Sequence, residues 1–512
     1  MMSGKPKPYP FFAVIVLGIA LTAFQFSRNR SLWLDEAMLA LNVLDLGFAG
    51  LMKPLAYDQA APIGFLFAEK LFVLLLGGSE SALRLFPFLC YLASVPVTFF
   101  LALRLTREKA AALLATALFV LTISVIAYAS EVKQYMTDVL FAGLIPLLAL
   151  RHERGNARSL TLLAATGAIA VYFSNAAVIP MTVAGAWLAY DGLLKPMELK
   201  RKDFGLLLVF LAWGATFAGY YLAFIAGHPS KGLMLVYWKD AFLPLNPFSG
   251  AFYGFILHAM RGVCGQLFGF PYWRLAETVV LCGLADLALS KRFRSLYFLA
   301  APVALHLLMS GLKLYPFTGR FLLYAVPLFT ILAAVTTARL CHRIKIAFPN
   351  APEILMLLPV LAMIPPFIGA YPIDKEEIRQ ELDRLHTERL QRSNPNEPVY
   401  VYYSSLPAVL YYKHIGWVDS GTVLIAGEEH RDTLSAYDPQ LDSLHGTVWL
   451  LFSHVFPFGR ADNEEAYMVG HLRARGARML DSSRVTGSSL YRMEMIPRPG
   501  CDARPDSASV PL

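Results

Sequence analysis

Charge is what this sequence has least of. Of its 512 residues only 16% are Asp, Glu, Lys or Arg, whereas 56% are hydrophobic. A soluble domain carries about 25% charged residues, so the chain lacks the polar surface to face water throughout. The mean hydropathy of +0.50 places much of it in a bilayer. That excludes a soluble enzyme, a disordered scaffold and a nucleic-acid binder. The formal net charge of +8 does not reinstate nucleic acid as a partner, because the basic residues fall at the ends of apolar runs. Cysteine is equally sparse. The 5 cysteines stand singly and far apart with no CxxC pair, so neither a zinc site nor a disulfide framework is indicated.

What is present is a series of long apolar runs. Crossing about 30 Å of hydrocarbon takes roughly 20 residues, and about eleven stretches read as membrane helices. They are Pro10–Phe26, Glu80–Arg104, Ala110–Tyr128, Tyr135–Leu150, Leu160–Ser174, Ala176–Leu194, Phe204–Ala226, Tyr272–Leu289, Leu296–Gly311, Phe321–Ala338 and Ile354–Ala370. The first follows Lys5 and Lys7 as a signal peptide would, but no small-residue cleavage site comes after it, so a retained helix is predicted. Short basic clusters set the orientation: Lys5/Lys7, Arg104/Arg107/Lys109, Arg151/Arg154/Arg158, Lys195/Lys200/Arg201/Lys202, Lys291/Arg292/Arg294 and Arg339/Arg343/Lys345. All fall on one side when the runs are counted this way, and that side is expected to be cytoplasmic. The N-terminus is then cytoplasmic, and the outer side holds residues 27–79, the loop 227–271 and everything after residue 371.

Residues 1–371 thus read as a transmembrane domain, and the chain beyond is of another kind. Over 372–497 charged residues become dense and the apolar runs shrink to strand length. Pro398–Ser404, Thr422–Ala426, Thr447–Ser453 and Ser489–Met495 are rich in β-branched and aromatic residues and read as strands. A helix over Glu464–Arg475 fits between the last two. Alternating elements of this kind predict an extracytoplasmic α/β domain of about 120 residues. With no glycine-rich loop after a strand, it is not expected to bind a nucleotide. Residues 498–512, rich in Pro, Ser and Asp, are expected to be disordered.

The first outer loop, 27–79, carries the most chemistry. It contains SLWLDEAMLALNVL, with Asp35 and Glu36 side by side and Leu34, Met38 and Leu41 at helical spacing. An amphipathic helix with its acids at the start is predicted, and those acids would complement the helix dipole whatever else they do. Further on, Pro62 opens an apolar stretch from Ile63 to Leu76, short for a span and suited to a juxtamembrane helix. Gly77 and Gly78 break it, and Ser79 can cap the next helix. Glu69 and Lys70 lie within the short stretch, where they would pair with each other or with lipid headgroups. Asp138, early in the fourth run, is an intramembrane acid close to the predicted outer boundary.

The motifs in this region resemble a known class. Leu32-Trp33-Leu34-Asp35-Glu36-Ala37, then Gln59-Ala60-Ala61-Pro62, then Gly78-Ser79-Glu80-Ser81-Ala82-Leu83-Arg84-Leu85 are similar to the first outer loop of the GT-C membrane glycosyltransferases. Within that class the chain is most similar to the group of protein O-mannosyltransferases, the lipid A aminoarabinose transferase and lipopolysaccharide galacturonosyltransferases. Ser130-Glu131-Val132-Lys133-Gln134-Tyr135 resembles the group's Glu-Ala-Arg-Pro-Tyr segment, departing from it with Lys133 for arginine. Gly319-Arg320-Phe321 through Pro327 resembles a late Arg-Tyr…Pro segment, with Phe321 for tyrosine. The likeness covers residues 10–345 and is strongest over 31–90.

The resemblance implies a polytopic α-helical GT-C protein of about eleven spans, with a polyprenyl-phosphate sugar as donor and a glycolipid, glycan or protein as acceptor. Attack of an acceptor hydroxyl on the anomeric carbon needs a general base, and the departing phosphate needs cations or a metal. Asp35 is the implied base. Glu36 would orient it or help hold a divalent ion such as Mg or Mn, with Asp58 as a further ligand or acceptor contact. Two or three carboxylates suit such a hard ion, whereas an ordinary turn aspartate is the plainer reading of Asp58. Glu131 and Tyr135 fall within the substrate-binding segment. Lys133, Arg320 and Lys313 are expected on the outer side, where they would bind the phosphate or snorkel to headgroups. The aromatic-rich loop 227–271, including Trp238, would either fold over the site and contact acceptor or lipid or rest on the interface, and the interface is expected for most of it. Two other readings compete: a transporter or flippase for lipid-linked sugars, for which no internal repeat is evident, and an inactive homologue acting in envelope assembly.

Overall fold

The computed structural model describes residues 9–195, 203–229, 231–269, 272–348, 353–391, 397–431, 433–455 and 463–496. The stretch 498–512, expected to be disordered, lies outside the described residues, as do Lys200, Arg201 and Lys202. Two compact units organise the chain. The first takes residues up to Arg28, Phe48–Leu75 and Ser81–Ile373; the second takes Asn29–Gly47, Leu76–Glu80 and residues from Asp374 on.

The first unit is helical, and the predicted apolar runs form helices, the run Ala110–Tyr128 as two. Among the described residues, 6 helices are long and apolar enough to cross a bilayer: Tyr9–Ser27, Glu80–Thr106, Asn175–Leu194, Gly205–Ile225, Phe293–Gly311 and Gly319–Ala347. The pair Lys109–Val120 and Ile123–Ala129, bent by 60°, makes up to 7 if it is one span. The other runs give helices of 17 residues, Tyr135–Arg151, Ala157–Phe173 and Trp273–Leu289, and one of 13, Leu358–Ala370. These fall short of the roughly 20 residues of an untilted span, so length and composition alone support fewer crossings than the sequence count of about eleven.

Helix Lys109–Val120 sits at the centre of this unit. Its sequence, KAAALLATALFV, is apolar on every side, and each residue from Ala111 to Val120 is buried, as an all-round apolar helix requires. It packs against Tyr9–Ser27 and Val326–Ala347. Close approach depends on small residues: a Cβ at Gly18 would lie 2.4 Å from Val120 Cγ2, and one at Gly283 2.7 Å from the Leu332 carbonyl oxygen. Basic clusters predicted to share a side also meet. Arg292 Nη2 donates to the carbonyls of Leu105 and Thr106, both at 2.7 Å. His152 Nε2 lies 2.9 Å from Asp203, and Arg154 Nη2 2.9 Å from Asp191.

The second unit is built on a five-stranded sheet of order β2-β1-β3-β5-β4. Its strands are β1 (Val399–Val401), β2 (Leu424–Ala426), β3 (Thr447–Ser453), β4 (Arg478–Val485) and β5 (Ser488–Glu494). β1 runs parallel to β2 and β3, whereas β5 is antiparallel to both β3 and β4. The four predicted strands are β1, β2, β3 and β5, and the predicted helix is Glu464–Ala474. The edge strand β4 went unread because its sequence, RMLDSSRV, alternates exposed and half-buried residues without an apolar face. Tyr400, Tyr402, Leu450, Phe452, Met468, Leu472 and Met493 form the core, each large side chain contributing roughly 1.5–3 kcal/mol on burial. Glu464 is satisfied inside this core by the Tyr402 and Tyr437 hydroxyls, the latter at 2.9 Å. Burial pushes both phenols well above their ordinary range.

The Asp-Glu segment belongs to this second unit. Helix Leu34–Asp45 buries Ala37, Leu39, Ala40, Leu41 and Val43 and packs on helix Leu406–His414. The chain leading into it is tied down by polar contacts. The Leu32 N–H donates to the Tyr412 hydroxyl at 3.1 Å, and that hydroxyl donates to Glu80 Oε1 at 3.0 Å. Arg379 bridges Glu80 at 2.7 Å and the Asn29 carbonyl at 2.8 Å. No sequence signal marks residues 29–47 as part of the same unit as the C-terminal chain.

Candidate functional site

In the second unit, helix Leu34–Asp45 begins after Trp33, whose backbone is extended (φ −81°, ψ 168°) and whose carbonyl accepts from the Glu36 and Ala37 N–H groups, each at 2.9 Å. Asp35 and Glu36 therefore occupy the first turn, where the helix dipole favours negative charge. Their environments differ sharply. Asp35 is half-buried, whereas Glu36 is fully buried and accepts from Arg30 Nη1 at 2.9 Å. Arg30 is itself buried and also donates to the Ser31 carbonyl at 3.2 Å. Breaking a buried pair of this kind is costly, because removing one partner strands the charge of the other. Glu36 thus anchors the turn that presents Asp35, one carboxylate oxygen being bonded to Arg30.

In the first unit, the helix Ile123–Ala129 ends at Ser130, and a tight turn follows in which the Lys133 N–H donates to the Glu131 carbonyl at 2.8 Å. Non-helical backbone in a membrane protein is tolerated where it is buried in protein or lines a cavity. Glu131, Lys133 and Tyr135 are all buried. Lys133 Nζ donates to Gln59 Oε1 at 2.9 Å, so the turn is tied to the residue next to Asp58. Asp58 itself is exposed, in a short 3-10 turn where Tyr57 and Asp58 both take left-handed backbone (φ 60° and 50°).

Arg320 opens the turn Gly319–Ala325 and completes this group. Its guanidinium lies 5.7 Å from the Tyr135 ring centroid, 5.6 Å from Trp238 and 6.0 Å from Phe321. The rings support one another: Tyr135 and Trp238 meet Phe321 edge-on at 6.3 and 5.1 Å. Ring faces attract a cation by about 0.5–2 kcal/mol each without removing its charge. A guanidinium cannot deprotonate, so Arg320 presents a fixed charge in a fixed plane.

The sequence candidates therefore divide. Lys133, Tyr135 and Arg320 come together with Glu131 in the same turn, and Asp58 adjoins them through Gln59. Lys313 stands exposed in a left-handed turn (φ 57°) after the helix ending at Gly311, outside this cluster. Asp35 and Glu36 form their own group in the other unit. Among the described residues, no group of three or more His, Cys, Asp or Glu side chains is placed to hold a metal ion. Asp138 is buried and accepts from Ser174 Oγ at 2.6 Å, a satisfied intramembrane acid. Two contributors were not assigned from sequence. Trp238 reads as an interfacial aromatic but stacks on Arg320, and Gln59 is a plain turn residue until Lys133 reaches it. Both contacts join residues far apart in the chain, which no local pattern signals.

Residues 59–142 match the family described as dolichyl-phosphate-mannose-protein mannosyltransferase, a stretch that includes Glu131, Lys133 and Tyr135. No curated protein matches the sequence. Among solved structures, ArnT from Cupriavidus metallidurans bound to undecaprenyl phosphate is similar at TM-score 0.53 and 14% identity, over 93% of this chain and 97% of that one. Its apo state gives TM-score 0.53 and 15% identity over the same shares. The archaeal oligosaccharyltransferase AglB from Archaeoglobus fulgidus, in complex with an inhibitory peptide and a dolichol-phosphate, is matched over 94% of this chain and 74% of that one, at 12% identity and TM-score 0.46. The fold comparison rests on ArnT. The chain is a multi-pass membrane protein that shares its fold with ArnT.

Proposed function

We propose that the protein is a membrane glycosyltransferase that moves one sugar from a polyprenyl-phosphate carrier to an acceptor hydroxyl at the outer face of the cytoplasmic membrane. The carrier would be undecaprenyl phosphate in a bacterial source, and the acceptor a glycolipid, glycan or protein of the cell envelope. The observation that carries this reading is Arg320, caged by Tyr135, Trp238 and Phe321 beside the Lys133 turn. A guanidinium held among three rings, beside the turn that carries the buried Lys133, favours a compact anion, and a lipid phosphate supplies one. An apolar cavity of about 880 Å³ in the same unit, lined by Phe48, Ile63, Phe67, Tyr172, Phe173 and Tyr220 among others, suits an isoprenoid tail. The gathered basic helix ends favour a cytoplasmic N-terminus and an outer C-terminal unit.

In this reaction the acceptor oxygen forms a bond to the anomeric carbon while the carbon–oxygen bond to phosphate breaks. The hydroxyl proton passes to the Asp35 carboxylate, and the electron pair leaves with the polyprenyl phosphate, whose growing charge Arg320 and Lys133 stabilise. A single displacement inverts the anomeric centre. Glu131 and Tyr135 shape the phosphate site, and Asp58 adjoins it as an acceptor contact. Any divalent ion would fall to Asp35 for its carboxylate ligand, since Glu36 neutralises Arg30.

The test is transfer of radiolabel from a panel of polyprenyl-phosphate sugars into product, with purified protein in nanodiscs and membrane extract as acceptor. Wild type is expected to transfer label from one donor. No transfer from any donor, with label crossing sealed vesicles instead, would overturn the reading.

A further inference from the structure

We propose that Glu376 and His454 act as a clamp that positions Asp35. The inference rests on Asp35 being the general base. The first helical residue, Leu34, has an N–H with no intrahelical partner, one of the orphan donors at any helix start. Ordinarily the residue before the helix supplies a side-chain acceptor, but here that residue is Trp33, which makes no side-chain cap. The acceptor comes from the C-terminal chain instead: the Leu34 N–H donates to Glu376 Oε2 at 3.4 Å. A carboxylate at this position also sits at the favourable end of the helix dipole. Glu376 serves as a cap supplied from more than three hundred residues away in sequence.

Its other oxygen, Oε1, is held by His454 Nδ1 in a close hydrogen bond. His454 in turn packs on Trp33, with ring centroids 5.7 Å apart, and Lys375 Nζ lies 4.0 Å from the Trp33 ring centroid. Trp33 is therefore gripped by its ring while the next residue is gripped by its N–H. Asp35 follows directly. His454 adopts a left-handed backbone (φ 55°) immediately after β3. For a non-glycine residue that conformation is strained and persists where surrounding contacts fix it. It places the imidazole on Trp33 and Glu376 rather than continuing along the strand. The same two side chains line a polar cleft of about 350 Å³ shared with Arg484, Glu465, Ser488 and Ser489. The clamp is thus open to whatever enters that cleft.

The experiment compares full-length wild type with E376A, E376Q and H454A in nanodiscs, by amide hydrogen exchange and by steady-state transfer. E376A and H454A are expected to speed exchange about tenfold at residues 34–38 alone, leaving β3 and β5 protected, as local rather than global opening does. The kcat should fall about 10–100-fold with donor and acceptor KM held, the signature of a misplaced catalytic group. E376Q keeps an oxygen for the Leu34 N–H and should recover most of the loss. Unchanged exchange at 34–38, a uniform rise across the whole unit, or loosened exchange with kcat intact would each overturn the clamp. Absence of transfer by wild type would overturn the functional reading, and the exchange pattern would then judge the clamp alone.

Discussion

The two units surround their named charges differently. The second unit pairs several buried acids with cations: Glu36 with Arg30, Glu80 with Arg379, Glu397 with Arg492 and Glu465 with Arg484. The membrane unit surrounds Arg320 with rings and gives Lys133 an amide oxygen. A carboxylate partner would cancel a cation's pull on an incoming anion, whereas rings orient the cation and leave its charge intact. Under the proposed function Arg320 and Lys133 would meet the carrier phosphate, whereas the four ion pairs hold their own unit together.

The sharpest way to test that division is at the adjacent acids. Asp35→Asn should lower transfer by about 10²–10⁴-fold, the range for losing a general base, with unfolding temperature unchanged. Arg30→Ala should do the reverse in kind. It strands the buried Glu36 carboxylate, a loss of about 3–5 kcal/mol for a broken buried pair, read as a lowered denaturant midpoint. Equal loss of stability in both variants would erase the distinction between Asp35 and Glu36. Next comes Arg320→Ala, expected to cost roughly 10²–10³-fold in turnover if it stabilises the leaving phosphate. Arg320→Lys should recover only part, since an ammonium keeps the charge but not the planar fork. Full activity in Arg320→Ala would return this residue to a packing role.

Much of this was legible in the sequence, and the gaps share a cause. Apolar runs announced the helices because bilayer thickness sets their length, and aromatic or β-branched runs announced β1, β2, β3 and β5. Asp35 stood out through the resemblance of its loop, and Lys133 and Arg320 because they are expected on the side where the positive-inside rule demands no cations. Bends and long-range contacts were hidden. The break at Leu121–Thr122 carries no proline or glycine, the Gln59–Lys133 contact spans 74 positions, and the grouping of residues 29–47 with the C-terminal chain depends on polar contacts such as Tyr412 to Glu80. Arg30 stands only six residues before Glu36, yet their pairing requires the extended backbone at Trp33 to turn the chain back.

The smallest predicted effect concerns a buried acid of the second unit. Glu381, on helix Ile378–Gln391, is fully buried, and its Oε2 has no hydrogen-bond partner among the described residues, although Ser483 Oγ donates to Oε1 at 3.0 Å. Burial raises its carboxyl above the ordinary value of 4.5, against smaller lowering effects from Ser483 and Arg384. A folded state that holds a proton more tightly than the unfolded chain is most favoured where both are protonated. Stability should therefore fall as pH rises from the unfolded-state value of 4.5 through the raised folded value. Glu381→Gln removes that titration, and its unfolding temperature should exceed wild type at neutral pH while the two converge at low pH. A wild-type advantage at neutral pH would mean that Glu381 has found a compensating cation, as Glu36 and Glu80 have.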